Sequence, residues 1–198
     1  MTQLASDNFT RANGALGANW GSLTGVGAPD IESNQARMPA STGFGGALTE
    51  VGTWTSITGQ YSEITVGSVV CSVTDEGVGA IIRAPFSGNL NGYISQSNAV
   101  ETRLYKVVNG TFTQLGSNGP AVTTGDVIRI TGSGTTISVA KNGTTIISVT
   151  DSSVASGTPG IWTTDAGGRG SISLWAAGDL TAGTPIAVLA SSYNQQYG

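Results

Sequence analysis

The sequence contains no histidine and a single cysteine, Cys71. Histidine is the commonest general base and a frequent transition-metal ligand, so its absence removes the usual form of both kinds of site. A serine or cysteine nucleophile would also lack the histidine that normally activates it. One cysteine excludes an internal disulfide, and the apolar neighbours Val69 and Val70 favour a small buried thiol at Cys71.

Charge is scarce as well. Charged residues make up 10% of the 198 residues, against roughly 25% in an average soluble domain. The formal net charge is −4, and the eight Lys and Arg residues are scattered singly. Binding to nucleic acid or to an anionic membrane surface needs clustered cations, so we expect neither among the partners.

Long apolar runs are missing. No stretch approaches the roughly 20 residues of a membrane-spanning helix. The segment from Met1 to Asp7 has neither a basic nor an apolar region, which argues against a secretory signal peptide. Hydrophobic residues nevertheless make up 38% of the chain, which is enough for one independently folding core.

What the sequence does contain is glycine and strand-like alternation. Its 30 glycines and short alternating segments predict about twelve short strands and an all-β, two-sheet antiparallel sandwich. Asn109-Gly110 and Asn142-Gly143 each predict a hairpin, because both residues tolerate positive φ. The predicted strands are Asp7–Phe9, Trp20–Leu23, Ile31–Met38, Gln60–Val66, Ala80–Arg83, Gly92–Gln96, Leu104–Val108, Thr111–Leu115, Val127–Thr131, Thr136–Lys141, Thr145–Val149, Gly160–Thr163 and Ser171–Ala177.

One domain is expected over residues 1–180, because no Pro- or Ser-rich linker divides the chain. Residues 181–198 form a C-terminal tail with an apolar part, Ile186–Ala190, and a polar end. The tail could add a strand to its own subunit or dock on a neighbour, since an unpaired strand edge invites pairing.

Three segments carry recognisable motifs. The segment from Asp7 to Trp20 reads DNFTRANGALGANW, and two later segments are VAKNG, ending at Gly143, and GTPGI, ending at Ile161. The first is similar to the opening of many bacterial and phage lectin-like domains, and the other two resemble the hairpin and return strand of the concanavalin A-like, laminin-G-like jelly-roll superfamily. The resemblance implies a two-sheet jelly roll with ligands on a concave face or at the loop rim. It does not select a function, since the fold serves lectins, glycosidases, adhesins and virion proteins.

Four aromatic residues are candidates for a sugar-binding platform. Trp54 and Trp162 lie in Thr-rich, Gly-flanked segments, where exposure is expected. Tyr93 and Tyr105 lie on predicted strands and complete the candidate set. Sugar-binding proteins stack aromatic rings against pyranose faces, which is the reason for choosing these residue types.

Acidic residues offer little for catalysis. Glycoside hydrolysis uses a pair of carboxylates on one face, and the nearest approach is Asp30-Ile31-Glu32, with Glu63 alone on its strand. We therefore expect no enzyme activity and no catalytic residues. No cofactor is expected other than a possible structural calcium ion, for which oxygen ligands suffice. The candidates are Asp7, Asp151, Asp165 and Asp179, without a defined ligand set.

Two functional hypotheses follow. The first is a non-enzymatic virion structural protein, a capsid-decoration or tail-surface subunit of a bacteriophage, located on the virion surface and forming homo-oligomers. In this hypothesis the tail docks on a partner and the fold possibly aids adhesion to glycans. The alternative is a carbohydrate-binding module or lectin of a secreted or cell-surface protein, which would be extracellular.

Overall fold

The computed structural model describes residues 1–23, 25–39, 43–52, 54, 59–69, 76–165 and 170–180. Within them no helix could cross a membrane. The first eight strands are β1 (Thr2–Asp7), β2 (Gly14–Ala15), β3 (Trp20–Ser22), β4 (Asp30–Glu32), β5 (Gln35–Arg37), β6 (Gly43–Thr49), β7 (Gly59–Ser68) and β8 (Val78–Ala84). The next eight are β9 (Gly92–Ser97), β10 (Glu101–Val108), β11 (Thr111–Pro120), β12 (Val127–Ser133), β13 (Thr136–Lys141), β14 (Thr144–Thr150), β15 (Thr158–Asp165) and β16 (Ser171–Asp179).

The strands form two antiparallel sheets that pack face to face. The first sheet has the order β14-β13-β12-β7-β16-β5-β4-β2, and β1 also pairs with β16. The second sheet has the order β11-β10-β9-β8-β15-β6-β3. All of these strand pairs are antiparallel. The two-sheet antiparallel sandwich predicted from the sequence is confirmed.

Alternate residues of both sheets supply the core between them. Ile64 and Ile130 of the first sheet and Ile82 and Ile161 of the second belong to one cluster and are fully buried. Burying one such side chain contributes roughly 1.5–3 kcal/mol relative to leaving it exposed. The period-two alternation of the sequence therefore sets which face of each strand points inward.

A second apolar cluster lies on the face of the second sheet that points away from the first sheet, here called the outer face. Ile161 and Trp162 are neighbours on β15 but belong to different clusters, because successive side chains of a strand point to opposite faces. The second cluster comprises Leu23, Leu48, Ile81, Ala84, Leu90, Ile94, Val107 and Trp162. This cluster makes the outer face apolar and supports the cavity described below.

One carboxylate holds the opening segment. Asp7, at the end of β1, accepts hydrogen bonds from Trp20 Nε1 (2.7 Å), from both terminal nitrogens of Arg11 (2.7 and 2.9 Å) and from the Phe9 N–H (2.7 Å). Burial raises the pKa of Asp7, but the hydrogen bonds from Arg11 and Trp20 outweigh it and hold the pKa below its ordinary value. Trp20 lies on β3 and packs on Trp175 with ring centroids 4.7 Å apart. The opening motif therefore ties the two sheets together.

Both Asn-Gly hairpins predicted from the sequence are confirmed. Asn109 and Gly110 have φ of 52° and 77° and join β10 to β11. Asn142 and Gly143 have φ of 51° and 81° and join β13 to β14.

Other strand predictions differ from the structure, which has sixteen strands in its described part rather than about twelve. The predicted strand Asp7–Phe9 is wrong beyond Asp7, where β1 ends, because Phe9 takes a positive φ of 54°. The predicted strand Ile31–Met38 is a hairpin of β4 and β5, turned by Ser33 and Asn34 with φ of 55° and 59°. Strand β6 was not predicted from the sequence, since its three glycines obscure the alternation.

Two predictions concern residues outside the described part of the chain. These are the burial of Cys71 and the role of the tail at residues 181–198. The assignment of residues 1–180 to a single domain stays a prediction.

Candidate functional site

A cavity of about 400 Å³ lies on the outer face of the second sheet and is here called the aromatic cavity. It is lined by Phe44, Gln96, Tyr105, Gly110, Phe112, Trp162 and Thr164. These residues come from β6, β9, β10, β11 and β15 and from the turn after β10. The site therefore depends on the second sheet, which brings the consecutive strands β9, β10 and β11 together with β6 and β15, which are distant from them in sequence.

Sheet register explains how Trp162 fits on this face. The residues directly opposite Trp162 are Gly46 on β6 and Gly79 on β8. Because neither has a side chain, the indole has room on the sheet surface between its two neighbouring strands. Trp162 is 2% exposed and forms the floor of the cavity.

The four aromatic rings form a continuous group. The Trp162 ring lies 5.6 Å from Phe44 and 5.7 Å from Phe112, measured between centroids. Phe112 lies 5.9 Å from Tyr105 in an edge-on arrangement. Phe44 and Phe112 are 48% and 38% exposed, so these two rings present most of the accessible aromatic surface.

A chain of polar contacts borders the aromatic rings. Gln114 Nε2 donates to Asn118 Oδ1 (2.6 Å), and Asn118 Nδ2 donates to the Glu101 carboxylate. Glu101 pairs with Arg103 (2.5 Å), which donates to the Tyr105 hydroxyl (2.9 Å). The Tyr105 oxygen is thereby an acceptor for Arg103, which leaves its proton available to a ligand.

Gln96 supplies a second polar group. Its Oε1 accepts a hydrogen bond from Trp162 Nε1 (3.2 Å). The amide nitrogen of Gln96 is then the atom of this side chain that can donate to a ligand hydroxyl. An apolar ring surface with a few placed polar groups is the usual composition of a small-molecule site.

Such an arrangement matches the two faces of a sugar. The C–H groups of a pyranose face carry partial positive charge and pack against the negative face of an aromatic ring. The hydroxyls of the sugar need hydrogen-bond partners, which Tyr105 and Gln96 can provide. No charged residue is among the described residues that line the cavity.

The structure brings together two of the four predicted platform residues, Tyr105 and Trp162. Trp54 is 3% exposed in the core between the sheets, and its indole N–H donates to a backbone carbonyl at 2.8 Å. Tyr93 is fully buried in the same core and donates to Asp151 Oδ1 at 2.7 Å. Burial raises the Tyr93 pKa to about 12. The solvent exposure expected of Trp54 and Trp162 is therefore absent, since Trp162 is 2% exposed as well. Trp54 and Tyr93 lie away from the cavity.

Phe44, Phe112 and Gln96 were not among the site residues predicted from the sequence. Phe112 carried a usable signal, because it lies two residues after Gly110 of the Asn-Gly turn and alternates with the polar residues Thr111 and Thr113. Phe44 carried none, since it lies in the glycine-rich segment whose strand was not recognised.

The carboxylates proposed for calcium are engaged with cations. Asp7 pairs with Arg11 at 2.7 Å, and Asp151 pairs with Lys106 at 3.0 Å. Asp151 also accepts hydrogen bonds from Tyr93 and from the Ser153 N–H. Burial raises the pKa of Asp151, but the hydrogen bonds, first that of Tyr93, lower it well below its ordinary value. At each site a basic side chain of the protein, Arg11 or Lys106, already pairs with the carboxylate. Such an arrangement does not fit a set of calcium ligands.

The remaining calcium candidates are Asp165 and Asp179. The side chain of Asp165 lies outside the described part, and Asp179 ends β16. Within the described ranges no group of three or more His, Cys, Asp or Glu residues could hold a metal ion.

A larger cavity, of about 670 Å³, lies beside the opening segment. Its charged residues, Asp7 and Arg11, bond to each other, and Trp20 donates to Asp7. These groups hold the sheets together and are already satisfied, so we assign this cavity no ligand.

No family model matches the sequence, and no curated protein matches it. Solved structures are similar to it. Carbohydrate-binding module CBM66 from Bacillus subtilis has a TM-score of 0.57 at 19% identity, over 80% of this chain and 94% of the module. The exoplasmic/lumenal domain of VIP36, bound to Ca²⁺ and Man3GlcNAc, has a TM-score of 0.60 at 12% identity, over 85% and 86%. Apo Crh5 transglycosylase has a TM-score of 0.56 at 13% identity, over 89% and 84%. The chain therefore has the jelly-roll fold of these structures, as the resemblance to the concanavalin A-like superfamily implied.

Proposed function

We propose that this protein is a non-catalytic carbohydrate-binding protein, and that the aromatic cavity holds an uncharged sugar. The observation that carries the proposal is the aromatic group itself. Two exposed phenylalanine rings and Tyr105 surround a tryptophan floor, next to hydrogen-bonding side chains of Gln96 and Tyr105.

The structural neighbours support sugar binding over other uses of the fold. One is a carbohydrate-binding module and another is a lumenal domain bound to a mannose-containing glycan. A transglycosylase also shares the fold, so the fold by itself does not separate binding from catalysis.

The cavity favours binding over hydrolysis. Glycosidases place two carboxyl groups on either side of the scissile bond, about 5–10 Å apart. None of the described residues lining the aromatic cavity is acidic. The nearby Glu101 is paired with Arg103 and Asn118, and Glu32 on β4 pairs with Arg37.

An uncharged ligand follows from the same contacts. Arg103 is the cation nearest in the polar chain, and Glu101 already neutralises it at 2.5 Å. A carboxylate- or sulfate-bearing sugar would have to compete with Glu101 for Arg103. A neutral sugar needs only the hydroxyl and amide groups of Tyr105 and Gln96.

A glycan array tests the proposal, with Phe112→Ala as the disrupting variant. Phe86→Ala is the matched control, because Phe86 and Phe112 are both 38% exposed and Phe86 does not line the cavity. We expect Phe112→Ala to weaken binding about tenfold or more, since an aromatic contact contributes roughly 1–2 kcal/mol. Equal signals from both variants, or no array binding by the unaltered chain, would contradict the proposal.

Sugar binding is expected to be independent of calcium. The Arg11 and Lys106 side chains already neutralise Asp7 and Asp151, and the cavity offers no carboxylate among its described lining. The array signal should therefore be the same in calcium and in EDTA. A signal that disappears in EDTA and returns with calcium would show that a metal site takes part.

An extracellular location is part of this proposal. The virion-surface hypothesis, with its homo-oligomer, depends on the tail at residues 181–198. Those residues lie outside the described part of the chain. We give precedence to the sugar-binding hypothesis, because the aromatic cavity and the structural neighbours support it.

A further inference from the structure

A second cavity adjoins the aromatic cavity. Its volume is about 210 Å³, and it shares Phe44, Gly110 and Phe112 with the aromatic cavity. Its other walls come from Gly25–Val26, in the loop after β3, and from Gly88–Leu90, in the loop between β8 and β9. The two cavities thus lie on either side of one pair of phenylalanine rings.

Backbone hydrogen bonds hold the walls of the second cavity in place. Gly27 donates to the Phe44 carbonyl (3.2 Å), and Gly46 donates to the Gly27 carbonyl (3.1 Å), so the first loop is fixed to β6. Gly110 donates to the Leu90 carbonyl (2.9 Å), which fixes the second loop to the β10–β11 turn. A ligand that enters a pre-formed cavity spends little free energy on ordering the protein.

The shared rings can contact ligands on both sides. Phe44 and Phe112 lie edge-on to each other, with centroids 6.4 Å apart and an interplanar angle of 73°. Both rings are partly exposed. One ring system can therefore pack against two consecutive rings of a bound chain.

We propose that the second cavity binds the next sugar of a glycan whose first sugar lies in the aromatic cavity. The protein would then prefer an uncharged disaccharide to the corresponding monosaccharide. This inference rests on the proposed function and adds the length of the ligand and a second set of residues.

Asn89 is the polar side chain among the described residues that line the second cavity. It is exposed, and its amide can both donate to and accept from sugar hydroxyls. The second sugar is joined covalently to the first, so its binding is intramolecular and adds affinity at little cost in translational entropy. A disaccharide should therefore bind about tenfold more tightly than its monosaccharide.

Isothermal titration calorimetry of the full chain tests this inference. The monosaccharide probes are methyl α-mannoside, methyl β-glucoside and methyl β-galactoside, and the disaccharide probes are mannobiose, cellobiose and lactose. Asn89→Ala should weaken disaccharide binding about fivefold and leave monosaccharide binding unchanged, since the lost contact is one or two hydrogen bonds. Tyr105→Ala, in the aromatic cavity, should weaken both classes of probe. Thermal melting of each variant checks that it folds.

The outcomes separate this inference from the function on which it rests. Equal affinity for mono- and disaccharide, with Asn89→Ala unchanged, would overturn the second subsite and leave sugar binding intact. Loss of both classes of binding in Asn89→Ala while the variant stays folded would also overturn it, because the two cavities would not be separate. Absence of binding to any probe or array glycan would overturn both proposals.

Discussion

At the scale of single residues, the aromatic side chains form two groups: buried tryptophans whose N–H groups are hydrogen-bonded, and partly exposed phenylalanines that have no polar atom. The indole N–H of Trp175 donates to Ser62 Oγ at 2.9 Å, and that of Trp54 donates to a backbone carbonyl. A buried polar atom without a partner is costly, so these bonds allow the rings to lie in the core. Phe44 and Phe112 have no polar atom, are partly exposed and line the same cavity. Phe86 is as exposed as Phe112 but does not line that cavity, so clustering rather than exposure distinguishes the two cavity rings.

The Asp7 carboxylate should be important for stability. In Asp7→Asn the charge that pairs with Arg11 is lost, and an amide nitrogen faces donors of Arg11 and Trp20. We expect the free energy of unfolding to fall by about 1–3 kcal/mol, measured by urea denaturation with tryptophan fluorescence. Glu50→Gln, at an exposed carboxylate, is the control, and an equal loss in both variants would contradict the role of Asp7.

At the scale of strands, glycine positions decide how closely neighbouring chains approach. A Cβ at Gly79 on β8 would lie 1.5 Å from the Ser95 carbonyl oxygen on β9. Gly79 also lies directly opposite Trp162, which is on the neighbouring strand β15. Gly79 therefore serves both the β8–β9 pairing and the room for the indole.

Gly79→Ala should disrupt the second sheet, because the obstacle is backbone and cannot move aside. We expect a loss of about 3 kcal/mol or more in the free energy of unfolding, or failure to fold. Gly119→Ala on β11 is the matched control, since its nearest obstacle is the end of the Ile146 side chain at 2.9 Å. Thermal melting of both variants gives the comparison, and similar melting temperatures would contradict the expectation.

At the scale of the whole molecule, buried carboxylates make stability depend on pH. Burial raises the pKa of Asp126, but hydrogen bonds from Asn142 and Lys141 outweigh it and lower the pKa from 3.8 to about 2. Asp7 and Asp151 shift in the same direction. A lowered folded-state pKa means that the unfolded chain binds protons first as the pH falls.

The stability contributed by these carboxylates should be fully present above their ordinary pKa of 3.8 and lost as the pH falls toward 2. Urea denaturation across this range should show a constant free energy of unfolding near neutrality and a decrease below about pH 4. The Asp126→Asn variant should have a lower free energy of unfolding at neutral pH, and that free energy should decrease less as the pH falls. An unchanged pH profile in that variant would contradict the assignment.

Removal of residues 181–198 should leave the sandwich intact. Strand β16 pairs with β1 and with β7 as far as Asp179. A chain that ends at Leu180 should therefore keep its melting temperature and its sugar binding, measured by circular dichroism and calorimetry. A lower melting temperature would show that the tail belongs to the domain, and a lower mass in solution would link it to self-association.

The sequence by itself determined the fold class and excluded several kinds of site. Alternation and the turns at Asn109-Gly110 and Asn142-Gly143 act over a few residues, so they could be read locally. The opening motif could be recognised from Asp7, Arg11 and Trp20. That Arg11 and Trp20 both donate hydrogen bonds to the Asp7 carboxylate could not be predicted from the sequence. The absence of histidine excluded sites that use a histidine base or a histidine metal ligand without any structure.

Only the tertiary structure decided where the aromatic cavity lies. Phe44, Tyr105, Phe112 and Trp162 come from four strands, and register in the second sheet brings their rings within 6.4 Å of a neighbour. Local context at Trp54 resembled that at Trp162, yet one ring lies between the sheets and the other on the outer face. The side of the sheet on which a side chain lies depends on strand register and on long-range pairing, because a shift of one residue moves it to the opposite face.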